Sequence, residues 1–353
     1  MFEIAYFRNV NTFDVIGKAK VLSYDIDVCA YNKTISTMTV EGRLVLPNIC
    51  IVQMGKYLFM LDACTPSTQD EISAISLKPF FTIFDRAIPY VAQSTIYEQL
   101  VTDITDQFTN CADPRFRYSW LGVQSAAISM NYVKPEVDET GRYNLLAYIE
   151  QIAADVIGYC YATTQTIIVR FLRRAFPPDE DPSDYPEMTT YEYIPFYDAT
   201  AGKDIVTSAS FTQSLISKIT HFDPDNQTST DYYLLDDGTL TTNMSAANRV
   251  DGKWIVYSAS NVNDGLIAAQ FARSRYSHSI ELKTPIGSYT YMNGDSPYYY
   301  ARCRIKLPGG QLVESRVTSV RLKSQENGML NITAGRSLTK LSEIIQEVKN
   351  ARN

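Results

Sequence analysis

Ser337 and Lys340 stand at S-x-x-K spacing, which places a nucleophilic hydroxyl and a lysine base on adjacent turns of a helix. The same letters arise whenever a serine opens a helix, and that is the plainer reading. Asp179, Glu180, Asp181 and Asp184 offer the hard oxygens that calcium takes, yet they lie in a stretch from Phe176 to Thr190 with four prolines and five acids. That composition marks a linker. Asp223 and Asp225 begin a calcium-like loop, but Thr228 stands where such a loop wants glycine and Leu234 where it wants a bidentate glutamate.

The two histidines, His221 and His278, are far apart, and neither has a cysteine or second histidine at ligand spacing. No metal site and no cofactor are therefore expected. The six cysteines, Cys29, Cys50, Cys64, Cys111, Cys160 and Cys303, form no C-x-x-C pair and fall inside apolar patterns, so they read as reduced, buried thiols. There is no G-x-S-x-G, no Walker phosphate loop and no G-x-G-x-x-G opening a helix. No catalytic residue is assigned. A carboxylate pair for glycoside hydrolysis is always available among 39 acids, but nothing singles one out.

A sharper signal lies in "NGDSPYYYARCRIKLPGG", Asn293 to Gly310. Tyr299, Ala301, Cys303, Ile305 and Leu307 alternate with Tyr298, Tyr300, Arg302, Arg304 and Lys306, the period of a strand with one apolar face and one aromatic, basic face. The cations are conspicuous because the chain carries 32 basic against 39 acidic residues, a net charge of -7. That balance disfavours a general grip on nucleic acid. The 25 tyrosines against two tryptophans add a second clue, since Tyr289, Tyr291, Tyr298 and Tyr300 fall on presumed outer strand faces. Tyrosine there serves either contact with another surface or plain strand preference.

The elements that would position these residues make a multi-domain, mainly β chain with α/β modules. Residues 1–90 read as strand, turn, strand, a small barrel or sandwich. Residues 91–175 read as an α/β module. Thr95 and Glu98 form a capping box for a helix over 95–109, and "NLLAYIEQIAADVIG" fits a second helix through Leu145, Ile149, Ile152, Val156 and Ile157. "YCYATTQTIIVRFL" then reads as a hairpin. A second β module takes residues 176–222 and 281–336, with 223–280 as an inserted α/β domain whose helix is capped by Asp264. In "QLVESRVTSVRLKS" the apolar parity switches from Val313 and Val317 to Val320 and Leu322, which predicts a bulge near Thr318 or Ser319. Residues 337–353 read as a terminal helix. No basic leader with an apolar run opens the chain, and no stretch is long and apolar enough to span a bilayer, so a soluble protein made in a cytoplasm is expected.

This order of pieces resembles the hub proteins of bacteriophage tails, the baseplate or tail-tip family that includes the N-terminal part of tail-associated lysins. The residues that carry it are "FDRAIPY" closing the first β module, the "TGRYNLLAYIEQIA" helix with its hairpin, the linker, and "NGDSPYYYARCRIKL" entering the second. The resemblance implies two tail-tube-like β-barrel domains per chain, so that a homotrimer presents a pseudo-sixfold ring. It further implies a structural, non-enzymatic virion protein at the tail tip or baseplate, made in the bacterial host. Its partners would be the distal tail protein ring, tail fibre or receptor-binding proteins and the tape-measure protein, with DNA passing through transiently. Tyr298, Tyr300, Arg302 and Arg304 would then lie at a subunit interface. The alternatives are a receptor- or carbohydrate-binding tail protein and a cell-wall hydrolase with an unrecognised carboxylate pair.

Overall fold

The computed structural model describes residues 2–29, 31, 35–125, 134–153, 156–163, 165–175, 189–191, 194–213, 216–237, 239–258, 267, 276–289, 291, 297–326 and 328–336. Two compact units divide the chain, the first made of Met1–Ile205 with Leu282–Thr333 and the second of Val206–Glu281 with Ala334–Asn353. The terminal helix, its S-x-x-K pair, the acidic cluster at 179–184 and, apart from Ile267, the helix after Asp264 fall outside the described residues.

Six strands open the first unit: β1 (Ile4–Asn9), β2 (Val15–Asp27), β3 (Ser36–Glu41), β4 (Cys50–Met54), β5 (Tyr57–Pro66) and β6 (Ile72–Pro79). They pair in the order β1-β4-β5-β6-β3-β2, and β2 returns to β1 through Ile4↔Lys20 to Arg8↔Val15. The sheet is therefore closed. Alternation drives it, because Ala5, Phe7, Val21, Met38, Val40, Ile75 and Leu77 are buried while their strand neighbours face outward.

The next elements are β7 (Ala87–Pro89), α1 (Ile96–Ile104), β8 (Leu121–Ser125), β9 (Arg142–Asn144), α2 (Leu145–Gln151), β10 (Val156–Ala162), β11 (Ile167–Ala175) and β12 (Thr189–Tyr191). Thr95 caps α1 as expected, and the reciprocal bond of Glu98 reaches one residue further back, to Ser94. Thr95 Oγ1 accepts from Glu98 N, and Glu98 Oε2 accepts from Ser94 N, both at 3.1 Å. The helix runs on as a π turn to Thr109, burying Ile96, Leu100, Ile104 and Phe108. The second helix is shorter than its apolar spacing suggested. It ends at Gln151, and Val156 and Ile157 belong to β10, where they pair with Arg173 and Leu172 of the expected hairpin. Strand pairing there outweighs a helical pattern only seven residues of which are helix.

The second β module comprises β13 (Phe196–Asp198), β14 (Ile205–Gln213), β19 (Tyr276–Pro285), β20 (Arg302–Lys306), β21 (Leu312–Lys323) and β22 (Met329–Arg336). Between β14 and β19 the chain makes β15 (Ile216–Asp223), β16 (Thr228–Leu234), β17 (Leu240–Thr241) and β18 (Lys253–Ser258), a separate sheet of order β17-β16-β15-β18. β15 pairs with β16 and β18, so Ile216–Asp223 is part of this sheet, and β19 runs over Tyr276–Pro285. The module's own order is β13-β20-β21-β22-β19-β14. Counted within each module, both orders are first, fourth, fifth, sixth, third, second. One strand departs, for β13 is parallel to β20 whereas β1 is antiparallel to β4.

Within the first unit the modules share backbone bonds. One edge of β21 pairs with β20 over Leu312–Arg316 and then with β2 over Arg321–Lys323. The change of partner coincides with the predicted switch of face. Burial moves from Val313, Ser315 and Val317 to Val320 and Leu322, with half-buried Thr318 and Ser319 between. Buried Asp27 at the end of β2 accepts from Cys29 N, Ser319 Oγ and Val320 N, and Arg321 Nε meets Asp25 Oδ1 at 2.8 Å.

Candidate functional site

The basic strand face is only partly where the alternation placed it. Cys303 and Ile305 are buried and Arg302, Arg304 and Lys306 face outward, as the period of two requires. Upstream the period fails. Ala301 N donates to Tyr298 O at 3.1 Å, and Tyr300 has φ +63, so a turn replaces the strand and reorients all three tyrosines. Tyr298 is 7% exposed, packed with Ile157 and Leu172 and 5.3 Å from the Tyr159 ring. Tyr299 lies 4.8 Å from Tyr31, and Tyr300 packs on the cluster around α1 and α2. The expectation of an outward aromatic face at Tyr298 and Tyr300 is corrected on this ground. Tyr291 is buried too, its hydroxyl 3.1 Å from that of buried Tyr197.

Of the cations that do face outward, Lys306 finds an acidic partner across the sheet and Arg304 an aromatic one. Lys306 Nζ is 3.5 Å from Asp198 Oδ2, and Arg304 stands opposite Glu314 and Phe196 in register, its guanidinium 5.8 Å from the Phe196 ring. Arg302 stands opposite Arg316. Among the described residues Arg304 makes no ion pair, and with Phe196, Leu312 and Glu314 it forms an exposed apolar and charged patch.

The displaced tyrosines instead help close a cavity of about 250 Å³. Its wall is aromatic: Tyr31, Tyr57, Phe59, Phe80, Phe81, Tyr159 and Tyr299 line it, with Asp27 and Lys56 as its charged groups. Tyr31 is clamped, donating to Gly158 O and accepting from Gly158 N, each at 2.8 Å. A Cβ at Gly158 would meet both the Tyr31 hydroxyl and the Phe171 ring at 3.1 Å, so only glycine admits this approach without a shift.

A second unusual constellation is the buried acid Asp103, 4% exposed on α1. It accepts from Gln99 Nε2 at 2.8 Å and from the Tyr143 hydroxyl. Burial pushes its carboxyl up to about 6, against hydrogen bonds from Tyr143 and Gln99 that pull it down, and burial raises the Tyr148 phenol as well. A carboxyl in that range is suited to proton transfer, but this one is enclosed by Gln99, Tyr143 and Tyr148. Sequence reading missed it, although an acid on the apolar side of the α1 repeat was the available signal.

The remaining sequence candidates are structural where they are described. Asp223 caps the turn between β15 and β16, accepting from Asp225 N, Asn226 N and Asn226 Nδ2. All six cysteines are free thiols, and burial raises Cys50 to about 11 and Cys160 to about 12. Among the described residues no three histidine, cysteine or acidic side chains converge as metal ligands, and no helix is long and apolar enough to cross a membrane.

No protein-family model matches the sequence, and no curated protein matches it. Solved structures do. The 43 kDa tail protein of prophage MuSo2 from Shewanella oneidensis aligns over 95% of this chain and 98% of its own, with TM-score 0.51 and 12% identity. The chain has the fold of a phage tail protein. Prophage tail protein gp18 from Listeria monocytogenes covers 99% of both chains at TM-score 0.49 and 12% identity, and a tail protein from Neisseria meningitidis covers 97% of this chain and 99% of its own at 0.49 and 9%. Two like-ordered strand sets joined at β21 are what this tail-protein fold looks like in the present chain.

Proposed function

We propose that the chain is a structural component of a phage tail, a homotrimeric hub at the distal end that closes the tail tube and links it to the baseplate or tip. The observation that carries the reading is the repeated strand order, because three chains each bearing two like sheets present six equivalent-looking modules. Heterologous contacts between unlike surfaces close a ring when the rotation permits, and the exposed patch of Phe196, Arg304 and Leu312 is of the mixed aromatic, arginine and aliphatic kind that such contacts use. Arg302 and Arg304 remain assigned to that interface; Tyr298 and Tyr300 do not. The distal tail ring, fibres or receptor-binding proteins and the tape-measure protein are the partners of this reading, and DNA passes through the assembled ring.

Light scattering on the purified chain tests it. A particle of three times the 39.8 kDa subunit mass is expected. The double charge reversal Arg302→Glu with Arg304→Glu should weaken association by at least tenfold in concentration while leaving the circular dichroism spectrum unchanged. A wild-type chain that stays monomeric at high concentration, alone and with a six-membered tail ring, would remove the hub reading.

A further inference from the structure

The inserted sheet of the second unit has one apolar face, formed by Ile219, Leu234, Ile255 and Tyr257 with their neighbours. Its other face bears the more exposed of the chain's two tryptophans. Trp120 is 4% exposed, whereas Trp254 is 62% exposed near the start of the edge strand β18. An open indole there leaves on the order of 150 Å² of largely apolar surface in water.

The ring is held in place. Trp254 Nε1 donates to Thr220 Oγ1 at 2.8 Å, and the Lys218 ammonium sits 4.4 Å from the indole centroid. The lysine thus lies against the ring, and most of the indole stays exposed. Tyr233, Lys218 and Trp254 form one cross-strand row, with Asp231 and Thr220 in the next. Lys218 Nζ donates to Asp231 Oδ2 at 2.7 Å, Thr220 Oγ1 bonds Asp231 Oδ1, and the Tyr233 hydroxyl donates to Asp231 Oδ2 at 3.3 Å. Burial alone would raise the Asp231 carboxyl, but hydrogen bonds from Lys218 and Thr220 and the lysine charge hold it below its ordinary value.

Among the described residues Asp231 accepts three hydrogen bonds of the about four that a carboxylate can take, and the Lys218 ammonium gives one N–H to Asp231 while lying 4.4 Å from the Trp254 centroid and 5.6 Å from the Tyr233 centroid. The face therefore offers an acceptor and a donor side by side, beside a fixed aromatic plane, with Lys218 paired to Asp231 and the Arg249 guanidinium 4.9 Å from the neighbouring Tyr233 ring. A charged partner gains little from the neutralised Lys218–Asp231 pair, and a protein anchor of the usual kind sits in a well-packed, desolvated pocket, whereas Trp254 stands 62% exposed. A neutral sugar matches instead, because its C–H face stacks on indole while vicinal hydroxyls give one proton to Asp231 and accept one from Lys218.

We propose that this face is a carbohydrate-binding site for a neutral saccharide, with Trp254 as the stacking platform and Asp231 and Lys218 as the hydroxyl partners. This site stands independently of the ring reading, since all its residues belong to the inserted sheet.

The test titrates the full chain with glucose, galactose, N-acetylglucosamine, rhamnose and lactose while following acrylamide quenching of tryptophan emission, which reports Trp254 because Trp120 is enclosed. At least one sugar should lower the quenching constant. Calorimetry with that sugar should show Trp254→Ala losing at least tenfold in affinity, Asp231→Asn losing several-fold, and Trp254→Phe retaining part of the binding. The proposal fails if none of the five protects Trp254 at tens of millimolar, if binding survives in Trp254→Ala, or if protection tracks protein concentration without sugar.

Discussion

The two β modules reach one strand order by different means, and the difference lies in their first strands. In the first module β1 is six residues long and hydrogen-bonds β2 on one side and β4 on the other, so the sheet closes on itself. In the second, β13 is three residues long and runs parallel to β20, and the connection that follows its second strand holds a whole extra sheet. A closed barrel has no edge to manage, whereas a module interrupted at this connection keeps its core through strands four to six. The insertion thus lengthens the connection between two strands, β14 and β19, that are neighbours in the sheet.

The modules also hold the α/β region between them with matching devices. Phe13, just before β2, has φ +64, and Tyr300, just before β20, has φ +63. Each ring lies under a guanidinium that also donates to the same residue's carbonyl: Arg8 at 4.4 and 3.0 Å for Phe13, Arg316 at 4.8 and 3.1 Å for Tyr300. Both rings enter the cluster around α1 and α2, where Phe13 stacks on Trp120 at 5.1 Å. A left-handed aromatic is costly, and the arginine is what makes it stable.

This symmetry can be broken from either side. Phe13→Ala removes a ring that is 2% exposed and should cost about 3–5 kcal/mol in chemical denaturation, while Tyr300→Ala, half-buried, should cost roughly half as much. Equal losses would show that burial does not rank the two clamps. The region they hold carries its own pH dependence. Asp103 titrates near 6 when folded and near its ordinary 3.8 when unfolded, so the folded state binds the proton more tightly. Its contribution is fully present below about pH 4 and fades as pH rises through 6, a decline of about 3 kcal/mol. Melting curves of wild type and Asp103→Asn should therefore converge in acid and separate toward pH 7.5, with the variant the more stable. Parallel profiles would disprove the assignment. Smallest, Arg8→Met and Arg316→Met should each lower stability by about 1–2 kcal/mol through the lost stacking and hydrogen bond. If only one does, the clamps are not equivalent.

Much of this was readable from residue order alone. The alternation at Cys303 and Ile305, the parity switch after Val317 and the Thr95 helix cap each depend on neighbours within one strand or turn, and each is present. The tyrosines were misplaced for the opposite reason. A turn at Tyr298–Ala301 is stabilised by Tyr31, Tyr159 and Arg316, residues remote in sequence, and no local period reveals them. Val156 and Ile157 kept helical spacing but were taken by pairing with β11, again a distant partner. The Trp254 face was hidden because its strand neighbours come from three separate segments.

Strand β21 bears two successive neighbours along a single edge, and this has a mechanical corollary. Tension pulling β20 and β2 apart along their length loads the bonds on that rail in shear, several at once, instead of opening them one after another like a zipper. Both modules should then yield together or not at all.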